Sequence, residues 1–147
     1  MTKFRRDMQC LVIATAFTML TSCSSVPSNK VALYQQLGGD SGIENIVDEF
    51  VYIMATHPKL ASLFEFTDIE TLRGHLEDQF CELSGGPCTY SGRGMIESHE
   101  GMNVSHGEFN LVVELLQQAM RTHRVPVGPQ NRLIALLAPM HEDVVHR

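Results

Sequence analysis

Apolar residues recur every three to four positions along most of the chain after residue 30, a period that predicts helices rather than strands. The first long helix is predicted to begin at Ser41, because Ser41 and Glu44 form a capping box that satisfies backbone donors at a helix start. His57-Pro58 ends this run, and Gly38-Gly39 separates it from a short segment before it. Its inward face is the stripe of Ile43, Ile46, Val47, Phe50, Val51 and Met54.

A second long helix is predicted to start after Asp68, which serves as its cap, and to stop at Gly85-Gly86-Pro87. Residues 87–104 are irregular, with a short helical piece around 95–100. Such a segment inside a small domain often carries function. The apolar face of the second helix is formed by Ile69, Leu72, Leu76, Phe80 and Leu83.

Two further helices are predicted near the carboxyl end. Ser105 and Glu108 form another capping box before an apolar stripe that reaches Met120. The last helix is expected from about residue 129 to 146, with Pro139 kinking it or shifting its hydrogen bonds. The domain is therefore all-α, and the pattern alone is equally compatible with a four-helix bundle of unknown purpose.

Residues 1–22 have the features of a lipoprotein signal peptide: a basic start, a short apolar run and Leu20-Thr21-Ser22-Cys23 in the form of a lipobox. The apolar run is shorter than the ~20 residues that span a bilayer. Cys23 would be lipidated, residues 23–30 would be a polar tether, and 31–147 the globular domain. Ser24 favours an outer-membrane anchor facing the periplasm. The alternatives are a core helix, or an ordinary signal that leaves Cys23 unmodified.

The net charge of −6 becomes about −8 without the signal, which removes three basic side chains and one acidic one. An acidic domain does not suit phosphate binding, so nucleic acid is excluded as a partner. Cys81 and Cys88 remain as a pair in an oxidising compartment, with a Gly85-Gly86-Pro87 turn between them. They are expected to form a disulfide or to stay as two free thiols, since spacing alone does not fix the Cα distance.

Several segments, in this order and at these spacings, resemble the group I truncated haemoglobins over nearly all of residues 32–146. The resemblance implies an all-α, two-over-two helical sandwich around haem (b-type), in which paired glycines let the shortened segments turn tightly. The segments that carry it are Leu33–Gly39, Phe50, His57–Phe64, Leu83–Pro87, Met95–His99 and Val104–Ala119.

In such a protein His99 would be the proximal iron ligand, on a short helix just before a glycine. Without the resemblance, any one of the seven histidines could equally be a solvated or core side chain. Phe64 matches a residue that packs on the porphyrin. The resemblance places further cavity walls at Phe50, Phe80, Met95, Val104, Phe109 and Val112, each of which could also be simple core.

The distal side departs from the family pattern. Many group I members carry a tyrosine and a glutamine that donate hydrogen bonds to dioxygen, and the matching positions here are Val51 and Leu76. Leu72 stands one turn before Leu76, and Tyr52 is rotated by about 100° off that face. Loss of a charge-assisted hydrogen bond of roughly 1.5–3 kcal/mol should speed oxygen release about tenfold or more.

Two more histidines are candidates. His75 could bind iron as a second axial ligand or donate to a bound ligand, as in some cyanobacterial and algal relatives, or it could face solvent near a propionate. Ala138-Pro139-Met140-His141 resembles the region where some cyanobacterial members link a histidine covalently to a haem vinyl group. The simpler interpretation of His141 is a surface histidine.

The expected function is reversible binding of a small gas, O2, NO or CO, at the periplasmic face of a membrane. Turnover such as nitric oxide dioxygenation or a peroxidase-like reaction would need an electron donor, and the apolar distal wall argues against dioxygenation. Axial ligation by His75 would favour electron transfer or redox sensing. A haem-free helical lipoprotein that acts as an interaction module is the alternative from another class.

Overall fold

The structure, a computed structural model, describes residues 32–147. The predicted signal peptide, the predicted lipobox with Cys23 and the predicted tether lie outside this range, as does Val31. Within it the chain forms helices and no strand, with a single parallel bridge between Val104 and Val145. The elements are α1 (Leu33–Gln36), α2 (Gly39–Thr56), a 3₁₀ turn (Ala61–Phe64), α3 (Ile69–Leu83), α4 (Met95–His99), α5 (His106–Thr122), α6 (Val127–Leu137), a second 3₁₀ turn (Ala138–Met140) and α7 (His141–Val144).

Helix α2 begins two residues earlier than predicted, and the capping box of Ser41 and Glu44 is wrong. Gly38 is the residue before the helix and has φ of 101°, a left-handed conformation that favours glycine. The chain then turns so tightly that a Cβ on Gly42 would collide with the carbonyl oxygen of Leu37. Ser41 is therefore already inside the first turn, where it cannot act as a cap.

The other two predicted caps are confirmed. The Asp68 side chain accepts a hydrogen bond from the Thr71 backbone N–H at 3.3 Å. At α5 the exchange is reciprocal: the Glu108 N–H donates to Ser105 Oγ at 3.2 Å, and the Ser105 N–H donates to the Glu108 carboxylate at 2.8 Å. These bonds satisfy helix-end donors that would otherwise lack a partner.

The last predicted helix is interrupted. Helix α6 ends at Leu137, a 3₁₀ turn containing Pro139 follows, and α7 is short. Pro139 has no N–H to donate to the preceding turn, so the hydrogen-bond pattern shifts, as predicted. The break lets the end of the chain run back towards residues 103–104, where the Asn103 N–H donates to the Arg147 carbonyl at 2.7 Å.

Helix α2 is the centre of the packing, since it contacts both α3 and α5, while α6 packs on α1, α3 and α5. Their apolar faces meet in one core that includes Ile46, Val47, Leu116, Met120 and Leu133. The predicted all-α class is confirmed. Within residues 32–147, no helix combines the length and the hydropathy needed to cross a membrane.

A disulfide joins Cys81, near the end of α3, to Cys88 in the following segment, with Cα atoms 5.7 Å apart. Gly86 lies inside this small loop, and a Cβ there would approach Cys81 Sγ to 2.6 Å and the Tyr34 ring to 2.7 Å. The loop therefore has no room for a side chain at residue 86. It ties the end of α3 to the irregular chain that leads to α4.

Candidate cofactor site

A cavity of about 550 Å³ lies between the helices and is lined by α2, α3, α4, α5, the first 3₁₀ turn and the carboxyl end. Its size is within the roughly 300–1,000 Å³ of ligand and cofactor sites. Phe66, almost wholly exposed at 94%, stands at its edge.

The cavity wall is mostly apolar, and several of its side chains are only half-buried. Phe64, Leu72, Leu76, Phe109 and Val112 all face this space while remaining partly accessible. A contiguous apolar surface of this kind is unfavourable in water and marks a ligand site. The structure brings together the wall positions expected from the sequence: Phe50, Phe64, Leu72, Leu76, Phe80, Met95, Val104, Phe109 and Val112.

Val51 is the exception and corrects the sequence prediction. It is only 3% exposed and belongs to the helical core, not to the cavity lining. Adjacent residues on a helix point about 100° apart, so Phe50 occupies the cavity-facing position and Val51 turns into the packing between helices. Tyr52, predicted to lie off the cavity face, is 66% exposed.

His99 lines the cavity at the end of α4, and one of its nitrogens is already engaged. Its Nδ1 lies 2.8 Å from the carbonyl oxygen of Met95, one turn earlier. A carbonyl can only accept, so Nδ1 donates the hydrogen and the neutral ring carries its lone pair on Nε2. A metal-binding histidine typically donates its second ring nitrogen to a carbonyl or carboxylate in this way.

His75 lines the same cavity from α3. It is half-buried, and its ring meets the edge of Tyr90 with centroids 6.0 Å apart. The Tyr90 hydroxyl donates to the carbonyl of Arg93 at 2.7 Å, and burial raises the pKa of Tyr90. Tyr90 and Arg93 were missed in the sequence, since they sit in the irregular segment where periodicity gives no signal.

Gln79 was also missed. It is 7% exposed, the only buried polar residue among the described residues of the cavity wall. Its Nε2 has the sulfurs of Met95 and Met140 as neighbours, each at 3.8 Å, and sulfur is a weak acceptor. Gln79 lies one helical turn after His75, and this spacing places it on the same face of α3. The search for an apolar stripe passed over it because it is polar.

His141 is not part of the cavity lining. Its ring stacks on His106, with centroids 5.0 Å apart, and meets Phe109 edge to face at 4.8 Å. Phe109 does line the cavity. His141 therefore contacts a residue of the cavity wall without lining the cavity itself.

The chain matches known proteins over this whole region. The family profile described as bacterial-like globin matches residues 32–146. A group 1 truncated hemoglobin of a Nostoc species is 36% identical over 93 residues, which cover 63% of this chain and 79% of that protein. The group 1 truncated hemoglobin of Mycolicibacterium paratuberculosis is 26% identical over 113 residues, or 77% and 83% of the two chains.

Solved structures show the same fold. The truncated hemoglobin of Tetrahymena pyriformis in its Fe(III) form superposes with a TM-score of 0.76 at 24% identity, covering 80% of this chain and all of that one. The 2/2 hemoglobin of a Synechococcus species, with covalently attached heme, gives 0.73 at 21% identity over 80% of this chain and 100% of that one. The two-over-two helical sandwich is thus confirmed, and the chain belongs to the bacterial-like globins, as a group I truncated haemoglobin.

Proposed function

We propose that this globin holds b-type haem through His99 and reversibly binds a small diatomic gas, O2 or NO. The observation that carries the proposal is His99 itself, on the wall of an apolar cavity with Nδ1 fixed by the Met95 carbonyl and Nε2 left as the basic nitrogen. Haem would supply an iron atom that can bind such gases.

The residues present fit this group. The half-buried apolar side chains that face the cavity would be covered by a flat, largely apolar macrocycle, which would remove their surface from water. The Met95 carbonyl holds the His99 ring in one orientation and keeps the hydrogen on Nδ1, which leaves the lone pair of Nε2 for the iron. At the rim, exposed Arg93 supplies a positive charge for carboxylate groups.

The wall formed by α3 sets the ligand preference. Leu72 and Leu76 face the cavity where a hydrogen-bond donor would stabilise bound dioxygen, and neither can donate. These leucine side chains would exclude water from the bound gas, but they cannot donate a hydrogen bond to it. We therefore expect fast oxygen release and little support for dioxygenation, so turnover with an electron donor remains a secondary activity.

His75 is proposed as a second axial ligand in the gas-free protein. It is favoured by its place in the same cavity and by its half-buried ring, which Tyr90 contacts on one side. The ferric wild-type protein should show a low-spin spectrum, and His75→Ala should convert it to a high-spin aquo form. A high-spin wild-type spectrum that His75→Ala leaves unchanged would refute ligation by His75.

Haem attachment is proposed to be non-covalent. His141 is not among the residues that line the cavity, and it is already paired with His106. Haem should therefore be extracted completely by acid acetone. Haem that resists extraction in the wild type, but is released from His141→Ala, would contradict this proposal.

We also propose that the domain is anchored by a lipid on Cys23 at the periplasmic face of the outer membrane, on the strength of the lipobox and Ser24. Expressed in a Gram-negative host, the wild type should fractionate with the outer membrane. Cys23→Ser should remain unprocessed or be released from that fraction. Equal fractionation of the two proteins would refute lipidation at this residue.

The main test of the function is a titration of the purified chain with haemin. One equivalent should give a Soret band, and the reduced protein should bind carbon monoxide and dioxygen with distinct spectral shifts. A chain that shows no Soret band after haem addition would instead support a haem-free interaction module.

A further inference from the structure

Three histidines converge at the surface near the carboxyl end: His106 at the start of α5, His141 at the start of α7 and His146 just after it. We call them the imidazole cluster. Nδ1 of His106 and Nε2 of His141 are 3.1 Å apart, and the two rings stack with an interplanar angle of 19°. The His146 ring meets His106 edge to face, with centroids 5.3 Å apart.

The backbone fixes this arrangement although the side chains are accessible. The His146 N–H donates to the Val104 carbonyl at 2.9 Å, which pins the chain end beside the residue that precedes the cap of α5. Nδ1 of His146 lies 3.4 Å from Asn103 Oδ1, which leaves its Nε2 for another partner. His106 and His146 are exposed and His141 is half-buried, so an ion could enter from solvent.

We propose that the imidazole cluster is a binding site for a divalent transition-metal ion of the zinc or copper class, separate from the haem site. Metal–imidazole bonds of about 2.0–2.1 Å at a tetrahedral or right angle place the two nitrogens roughly 2.9–3.4 Å apart. The observed 3.1 Å lies inside that interval. His106 and His141 are the first two ligands, and His146 supplies the third after a rotation of its ring.

Coordination has a defined proton balance. One hydrogen now bridges His106 and His141, because a bond between two neutral imidazoles needs one donor and one acceptor. When both nitrogens bind the ion through their lone pairs, the donating nitrogen gives up its hydrogen and the second nitrogen of the same ring takes one up, so both imidazoles stay neutral and no net proton is released. No oxidant or reductant is involved.

The same geometry excludes a competing role for His141. Its Nε2 is the nitrogen that faces His106, and its ring contacts Phe109 without lining the cavity itself. A covalent bond from this nitrogen to haem would remove the metal ligand. The two states of His141 are thus mutually exclusive.

The test is zinc binding to the haem-loaded full chain, measured by equilibrium dialysis and by calorimetry in buffers of different ionisation enthalpy. The wild type should bind one zinc ion, and His106→Ala and His141→Ala should each lower the affinity at least about tenfold, since loss of even an outer-shell partner costs 10–100-fold. His146→Ala should weaken binding less. His123→Ala, which removes an exposed histidine elsewhere, is the matched control.

Calorimetry adds a readout that a purely structural role would not change: a heat of zinc binding that is the same in mildly alkaline buffers of different ionisation enthalpy, because neutral imidazole ligands release no net proton, and that is strongly reduced in His141→Ala. Unchanged Soret spectra will show that the variants are folded. Zinc binding that is absent from the wild type, or equal in the wild type and His106→Ala, would overturn the proposal. Haem covalently attached through His141 would overturn it as well.

Discussion

Helices α3 and α4 both line the cavity, and they are built very differently. Helix α3 is long, capped by Asp68 and closed by a disulfide at its end. Helix α4 spans only Met95–His99, and its N-terminus has no side-chain cap. Yet α4 carries His99, while α3 presents Leu72 and Leu76. Under the proposed function, the long helix would set ligand selectivity through its lack of hydrogen-bond donors at Leu72 and Leu76, and the short helix would supply the iron ligand His99.

The comparison teaches that even a short helix can orient a histidine side chain, because one backbone carbonyl in the same helix fixes the ring. The bond from His99 Nδ1 to the Met95 carbonyl lies within α4 itself, so the ring direction depends on that single turn. Two contacts outside α4 help to connect it to α3. The disulfide ties Cys81 to Cys88 in the segment that leads to α4, and the Gln79 amide lies next to the sulfur of Met95. Each of the following changes tests one side of this contrast, from the largest expected effect to the smallest.

Breaking the disulfide should have the largest effect on stability. Cys88→Ser removes a cross-link between residues seven apart in sequence, and the loop entropy of such a short link corresponds to roughly 2–3 kcal/mol. The free energy of unfolding, measured by urea titration without reductant, should fall by that amount. With reductant the variant and the wild type should coincide. Equal stability under oxidising conditions would show that the link does not hold the two walls together.

Restoring a donor on α3 should change ligand kinetics. Leu76→Gln places an amide at the cavity wall, and a hydrogen bond to bound dioxygen should slow its dissociation about tenfold or more, as 1.4 kcal/mol corresponds to one decade. Stopped-flow measurement of oxygen release gives the rate. Leu136→Gln, on an exposed position outside the lining, is the control. Equal rates in the wild type and Leu76→Gln would mean that Leu76 does not face the ligand.

Two serines with the same motif should behave differently. Ser105→Ala removes a cap and should cost about 1 kcal/mol of unfolding free energy. Ser41→Ala should change it by less than about 0.5 kcal/mol, because Ser41 lies inside α2 and does not cap it. Urea unfolding of both variants measures the contrast. A larger loss for Ser41→Ala would contradict the observed start of α2.

The smallest expected effect is on the pH dependence of stability, through the carboxylate of Glu108. The backbone N–H and then the hydroxyl of Ser105 hold the pKa of Glu108 below its ordinary value of 4.5. Because the folded-state pKa is the lower one, the stabilisation is present above the ordinary value and is lost as the pH falls through the folded-state pKa. Urea unfolding from pH 6 to pH 3 should therefore show a shallower decline in Glu108→Gln than in the wild type. Parallel curves would indicate that the carboxylate contributes nothing to the cap.

The sequence predicted what depends on local pattern and failed where the wider fold decides. Asp68 and Ser105 cap as expected because each stands directly before the first helical residue and accepts a backbone hydrogen bond from the first turn. At Ser41 the left-handed Gly38 starts the helix earlier, which depends on backbone geometry that spacing alone does not reveal. Val51 was assigned to the cavity by resemblance, but the rotation of α2 gives that side to Phe50.

The chemistry of the candidate site was easier to predict than its surroundings. His99 and the apolar wall followed from the ordered motifs, and the structure gathers them around one cavity. Gln79 and Tyr90 could not be found in this way, since one interrupts an apolar stripe and the other lies in an irregular loop. In the imidazole cluster, His106 and His141 are 35 residues apart in the chain, a proximity that the periodicity of the sequence does not reveal.

The most direct test of the central claim is replacement of His99 by glycine, followed by addition of free imidazole. His99→Gly should lose the ferrous absorption spectrum of the wild type and release haem readily, and millimolar imidazole should restore a proximal nitrogen and that spectrum. If His99→Gly instead retains the wild-type ferrous spectrum without imidazole, another residue holds the iron.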